Sequence, residues 1–238
     1  MFQYLETNYK KIINTLVPKT NLLIVSKFRS IEEIVFLYEL GHRHFAENKV
    51  QELEKKIQAL VSFKDLKWHF IGHLQRNKVK NVISLPSLYA IHSVTSALLV
   101  SELLKVADQK KIQDRTQEKI KLFWEFNTSM ESEKHGFKNV DEIFPLIEEV
   151  SHSDHFVNFG LMAMSPIRSE NFEIGARDSF SNLNIYRREL YNAQKMCFFF
   201  QNKIQLSMGM SSDYLIAQEY DTDWVRVGSK IFEREEEL

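Results

Sequence analysis

The sequence predicts an α/β chain folded as one (β/α)8 barrel of the TIM type, with residues 1–238 forming a single domain. Three observations predict it. Short β-branched or aromatic runs alternate with longer amphipathic ones, which calls for a parallel sheet built from crossover units. Eight such runs are present, enough to close a ring. The first is followed by Ser26-Lys27-Phe28-Arg29-Ser30, without the glycine-rich turn of an open doubly wound sheet.

The strands are expected at Leu22–Ser26, His44–Ala46, Trp68–Ile71, Tyr89–His92, Lys121–Asn127, Asn158–Met164, Gln205–Met208 and Trp224–Val227. Helices are expected at Ile31–Leu40, Val50–Val61, Lys78–Ser84, Thr95–Ala107, Val140–Val150, Ala176–Lys195 and Ser211–Glu219. Ile31, Ile34, Val35 and Tyr38 recur at the spacing of a buried helix face, and Gly41 sits where a C-cap glycine would. The polar stretch Asp108–Lys121 reads as a helix end and a surface loop, and Glu233–Leu238 as a frayed tail.

Composition narrows the function. With 31 basic and 32 acidic residues the net charge is -1, so no global field points to a nucleic-acid or membrane partner. No apolar run is long enough to span a bilayer, and the N-terminus lacks the pattern of a secretory signal. The single cysteine, Cys197, excludes an intrachain disulfide and fits a reducing compartment, so a cytoplasmic protein is expected. The eight histidines make no recognisable metal pattern, and structural roles are expected for them.

In such barrels functional groups gather at the C-terminal ends of the strands. Lys27 follows Leu-Leu-Ile-Val, a strand apolar on both faces. Apolar walls there would disfavour the ammonium and leave an amine able to form a Schiff base. A lysine snorkelling to solvent is the plainer reading of that position alone. The last two junctions shift the balance. They read Ser207-Met208-Gly209-Met210-Ser211-Ser212 and Arg226-Val227-Gly228-Ser229, and barrels often bind phosphate at these two positions. The alternative is that Ser211, Ser212 and Ser229 merely cap helices. Together, two such loops and the lysine suggest a phosphorylated carbonyl compound. Glu125, inside the fifth strand, is a weaker candidate that a salt bridge would explain. Arg76, Lys78 and Lys80 read as a solvated helix face.

Several segments then carry a resemblance. They are Leu-Leu-Ile-Val-Ser-Lys ending at Lys27, His-Phe-Ala-Glu-Asn-Lys-Val-Gln-Glu at 44–52 and Trp-His-Phe-Ile-Gly-His-Leu-Gln-Arg-Asn-Lys at 68–78. Gly-Leu-Met-Ala-Met at 160–164, Leu-Ser-Met-Gly-Met-Ser-Ser-Asp at 206–213 and Val-Arg-Val-Gly-Ser-Lys-Ile-Phe at 225–232 complete the set. In that order they resemble the YggS/PROSC family, the pyridoxal phosphate homeostasis proteins. The resemblance implies a barrel like the N-terminal one of alanine racemase, with pyridoxal 5′-phosphate (PLP) on Lys27. It implies Asn48 near the ring, Met162 and Met208 packed beside it, and the phosphate against Ser207, Ser211, Gly228 and Ser229. Arg226 would meet either the pyridine nitrogen or the phosphate. Ile24, Ala46 and Glu233 depart from the residues usual in the family, as does the Tyr220-Asp221-Thr222 stretch, which lacks an expected glycine.

The resemblance further implies a PLP carrier without robust catalysis, with PLP-dependent apoenzymes as partners and a monomeric state. A racemase needs acid/base groups on both faces of the substrate carbon. The sequence ends just after the eighth unit, so the extra domain that supplies the second group in alanine racemases is not expected. The rival reading is a PLP-dependent racemase or lyase using His73, His92 or Tyr214 opposite Lys27. A PLP-free Schiff-base aldolase and a pure interaction protein rank below it.

Overall fold

The computed structural model describes residues 2–110, 118–128, 135–166, 171–193 and 196–234. Eight parallel strands close a barrel in sequence order: β1 (Asn21–Val25), β2 (His44–Glu47), β3 (Lys67–Phe70), β4 (Leu88–Val94), β5 (Ile120–Glu125), β6 (Phe156–Met162), β7 (Phe200–Met210) and β8 (Trp224–Val227). The seam pairs Asn21 through Ile24 with Trp224 through Val227. All eight expected strands are present, with ends displaced by a few residues. The largest extension is β7, which starts at Phe200 rather than Gln205.

Helices α1 (Gln3–Thr15), α2 (Ile31–Glu39), α3 (Val50–Ala59), α4 (Val79–Ile83), α5 (Ala97–Lys110), α6 (Phe144–Ser151), α7 (Phe172–Asn192), α8 (Tyr214–Glu219) and α9 (Ser229–Phe232) surround it. Helix α1 is absent from the elements expected from the sequence. Its stripe is sparse, since only Leu5 and Ile12 are buried, and it packs against α9. Helix α2 begins with a capping box in which Ser30 and Glu33 satisfy each other's backbone N–H groups. Residues 111–117 of the polar stretch and 235–238 of the tail lie outside the described residues, as does the side chain of Cys197.

Alternation along the strands divides the interior in two. The large core lies between sheet and helices and includes Ile24, Phe45, Trp68, Leu206 and Met208. The smaller one lines the barrel axis and includes Leu23, Val25, Ala46, Ala90, Phe123, Met162 and Trp224. Gly160 marks a tight crossing: a Cβ there would stand 2.2 Å from the Gln205 carbonyl oxygen and 2.8 Å from the Phe123 ring. Gly160→Ala is therefore expected to destabilise the fold by about 1–3 kcal/mol. A lower urea midpoint at unchanged slope would register it.

Candidate functional site

The C-terminal ends of the strands enclose a cavity of about 660 Å3. Lys27 lines it after β1, Asn48 after β2 and Gly72 after β3. Met162 and Met164 come from β6 and its loop. Met210, Ser211 and Ser212 come from the end of β7, and Arg226, Gly228, Ser229 and Lys230 from β8 and the start of α9. Seven of the nine residues anticipated at the site therefore share one cavity. Ser207 and Met208 do not line it. The alternation of β7 turns Ser207 into the barrel, fully buried beneath the cavity residues, and turns Met208 outward into the helix-facing core. Met210 takes the lining position, because the β7–β8 register shifts between Ser207 and Met210 and breaks the alternation there.

Lys27 stands exposed at this wall rather than pressed between apolar surfaces. Its turn is strained. Phe28 adopts φ 65°, in the left-handed region a bulky residue avoids, and Arg29 N–H bonds the Ser26 carbonyl at 3.0 Å. Behind the turn lies an ion pair that the sequence reading missed. Lys56 Nζ lies 2.5 Å from Glu47 Oε1 and donates to the Ser26 carbonyl at 2.7 Å, and Ser26 Oγ donates to the same carboxylate oxygen at 2.8 Å. Both charged groups are buried, so α3 and the end of β2 clamp the backbone immediately before Lys27. A signal existed: Lys56 occupies the buried stripe Leu53, Lys56 and Ile57 of α3, continued by Leu60 at its C-cap.

The two glycine-serine loops meet. The Gly228 N–H donates to Ser211 Oγ at 3.2 Å. Neither serine loop serves as a helix cap. Gly228 holds the N-cap position of α9 without a side-chain bond, and Asp213 that of α8. Asp213 instead accepts from the Met210 N–H at 2.6 Å and from the Ser165 hydroxyl, tying the loop after β7 to that after β6. The uncapped first turn of α9 leaves N–H donors at the cavity wall. Gly72 lets the β3 loop close on the β2 loop, because a Cβ there would lie 1.9 Å from the Asn48 carbonyl oxygen.

Arg226 is buried and reaches the cavity from within β8. It donates to the carbonyls of Ser207 at 2.7 Å and Ala163 at 2.9 Å, and to Ser207 Oγ at 2.8 Å. Burial lowers its pKa to about 10, partly opposed by Asp213 and Glu125. Beneath it, His92, His69 and His44 follow in nitrogen-to-nitrogen contact at 2.9 Å per link. The other sequence candidates lie elsewhere. Tyr214 bonds Thr15 in the outer core, and His73 stacks on His135. Among the described residues no group of three or more His, Cys, Asp or Glu side chains is arranged to hold a metal, and no helix is long and apolar enough to cross a membrane.

A closed barrel with a lysine after its first strand and paired glycine-serine loops after its last two defines the alanine racemase N-terminal domain class, and the sequence matches that family over residues 2–234. Curated relatives named pyridoxal phosphate homeostasis protein include one from Schizosaccharomyces pombe, 34% identical over 89% of this chain and 82% of the relative. Another, from Synechocystis, is 30% identical over 94% of this chain and 95% of the relative. The chain belongs to the pyridoxal phosphate homeostasis protein family. PipY of Synechococcus elongatus PCC7942, solved with PLP bound, superposes with a TM-score of 0.80 at 27% identity, covering 97% of this chain and all of that one. Alanine racemase of Clostridium difficile 630 shares the fold at 14% identity and a TM-score of 0.72, over 98% of this chain and 57% of that one.

Lys56→Met strands the Glu47 carboxylate and should cost about 3–5 kcal/mol, whereas Lys56→Met with Glu47→Leu should cost far less; equilibrium denaturation of both variants separates the two. Burial lowers the pKa of His42 from 6.5 to about 4 and of His44 to about 3. These histidines are neutral when folded and take up protons when unfolded, so their contribution is complete above about pH 6.5 and is lost as pH falls toward 4 for His42 and toward 3 for His44. Denaturant titrations should show stability dropping on acidification through that window, by up to roughly 1.4 kcal/mol per pH unit for each histidine.

Proposed function

We propose that this chain holds PLP as a Schiff base on Lys27 and takes part in intracellular PLP homeostasis. The observation that carries the reading is the convergence of Lys27, both glycine-serine loops and Arg226 on one cavity. The donor set fits the cofactor's parts. Ser211, Ser212, Ser229, the start of α9 and Lys230 offer hydroxyl, N–H and ammonium donors to a phosphate. Ile71, Met162, Met164 and Met210 offer apolar, polarisable contact to a flat ring. Lys27 offers the amine. The volume falls in the range of ordinary small-molecule sites.

Bound PLP supplies an aldehyde carbon that an amine captures reversibly. Lys27 would hold that carbon, Asn48 would orient the ring, and Met162 would pack against it. Ser211, Gly228 and Ser229 would bind the phosphate, and Arg226 would donate to an acceptor of the cofactor. Ser207 would act through Arg226, and Met208 through the packing of β7. Among the described lining residues the titratable groups are Lys27, Arg226, Lys230 and Glu233. That excess of cations supports binding of an anionic ligand. The reading extends to a cytoplasmic monomer that passes cofactor to PLP-dependent apoenzymes.

The test is a visible absorption spectrum of the protein incubated with PLP and of Lys27→Ala, followed by borohydride reduction and mass spectrometry. The expected result is a yellow protein that gains a phosphopyridoxyl adduct at Lys27, with no adduct in the variant. A colourless, unmodified wild type would overturn the reading. Amino-acid turnover at ordinary PLP-enzyme rates, lost in Lys27→Ala, would instead make the chain a racemase or lyase.

A further inference from the structure

The barrel axis holds a constellation that the cavity does not itself display. His44, His69 and His92 lie on the adjacent strands β2, β3 and β4, and Ser207 and Arg226 on β7 and β8. They form one unbroken chain. His44 Nδ1 faces His69 Nε2, His69 Nδ1 faces His92 Nε2, and His92 Nδ1 faces Ser207 Oγ, each at 2.9 Å. Arg226 Nη1 closes it on Ser207 Oγ at 2.8 Å.

The direction of every link follows from its end. A guanidinium has donors and no acceptor, so Ser207 Oγ accepts from Arg226. The Ser207 hydroxyl proton then goes to His92 Nδ1, which must be bare. A neutral imidazole carries one N–H, so His92 donates from Nε2 to His69 Nδ1. By the same step His69 donates from Nε2 to His44 Nδ1, leaving the His44 N–H at Nε2. The reverse order would leave the buried Ser207 hydroxyl proton without an acceptor in the chain, at a cost of about 1–3 kcal/mol. A second proton on any ring is opposed by burial, and by Arg226 at one end and Lys67 and Lys121 at the other.

This polarity matters to Arg226. Among the described residues no carboxylate forms an ion pair with it, although Glu125 and Asp213 act on it from further away. Its charge is met by two carbonyls and by aligned lone pairs, each strengthened by the next. Such a chain stabilises a cation without neutralising it. We propose that Ser207, His92, His69 and His44 are positioning residues, a one-way hydrogen-bond chain that fixes the Arg226 guanidinium and preserves its charge for the anionic ligand in the cavity. In taking that ligand to be PLP the inference rests on the function proposed above; the polarity of the chain does not.

The experiment has two arms on the full chain. The first, without cofactor, uses long-range 1H–15N NMR of protein labelled with 15N-histidine at pH 7 and pH 5.5. His44, His69 and His92 should all be neutral and protonated at Nε2 at both values; an Nδ1–H tautomer or an imidazolium among them overturns the proposal. The second measures PLP binding to His92→Phe, which keeps a ring to stack on Phe123 but breaks the chain. Affinity should fall roughly tenfold, the loss typical when an outer partner of a binding group is removed. His92→Gln, able to accept and donate, should recover most of it. A folded His92→Phe with wild-type affinity overturns the proposal, and if that variant does not fold the NMR arm decides alone. A wild type that binds no PLP would sink the functional reading while leaving the NMR result intact.

Discussion

Asn21, Leu22, Leu23 and Ile24 pair with Trp224, Val225, Arg226 and Val227, and this parallel seam between the first and last strands closes the ring. Without it the lysine after β1 and the glycine-serine loop after β8 would stand at opposite edges of an open sheet. With it, Gly228 comes so close to β1 that a Cβ would lie 3.0 Å from the Val25 carbonyl oxygen. The cavity is thus a product of topology. No local segment holds more than a fragment of it, and each fragment gains its partners only when the barrel closes.

Two ways of holding charge inside a protein operate side by side. Lys56 and Glu47, whose side chains meet on the outer face of the sheet, neutralise each other at 2.5 Å and stiffen the backbone before Lys27. Among the described residues one oxygen of Glu47 has no hydrogen-bond partner, so the pair makes position definite rather than maximising stability. Arg226, inside the barrel, is met by carbonyls and a serine hydroxyl. The first arrangement removes charge from the site and the second delivers it. Both rely on the period of the strands, which sends Glu47 toward α3 and Arg226 toward the axis.

The eight strands were legible because their apolar runs are short, β-branched and separated by amphipathic stretches. Helix α1 was not, since Leu5 and Ile12 alone mark its buried face. The cavity was legible at seven positions: strand ends, where a barrel gathers groups, pointed to Lys27, Ser211, Arg226, Gly228 and Ser229, and the family resemblance added Asn48 and Met162. Ser207 and Met208 show where that rule stops: it says that a strand ends there, but not which residue of the alternation points inward. The histidine chain was illegible for a related reason. His44, His69 and His92 are about equally spaced along the sequence, but their contact depends on the stagger of neighbouring strands, which no single strand encodes. Lys56 was readable as a charge on an apolar stripe, though its partner was not.

The closeness of Gly228 to Val25 also bears on synthesis. In a growing chain the donors of the loop after β8 emerge some 200 residues after Lys27. Until then the proposed phosphate donors of that loop are missing beside Lys27, and a chain stopped before β8 would keep the amine without the closed cavity. Capture of the proposed ligand would thereby be tied to closure of the barrel, and any ligand held there would add its binding energy to the closed barrel alone. Occupancy would report on the integrity of the molecule, as a seal does on a finished vessel.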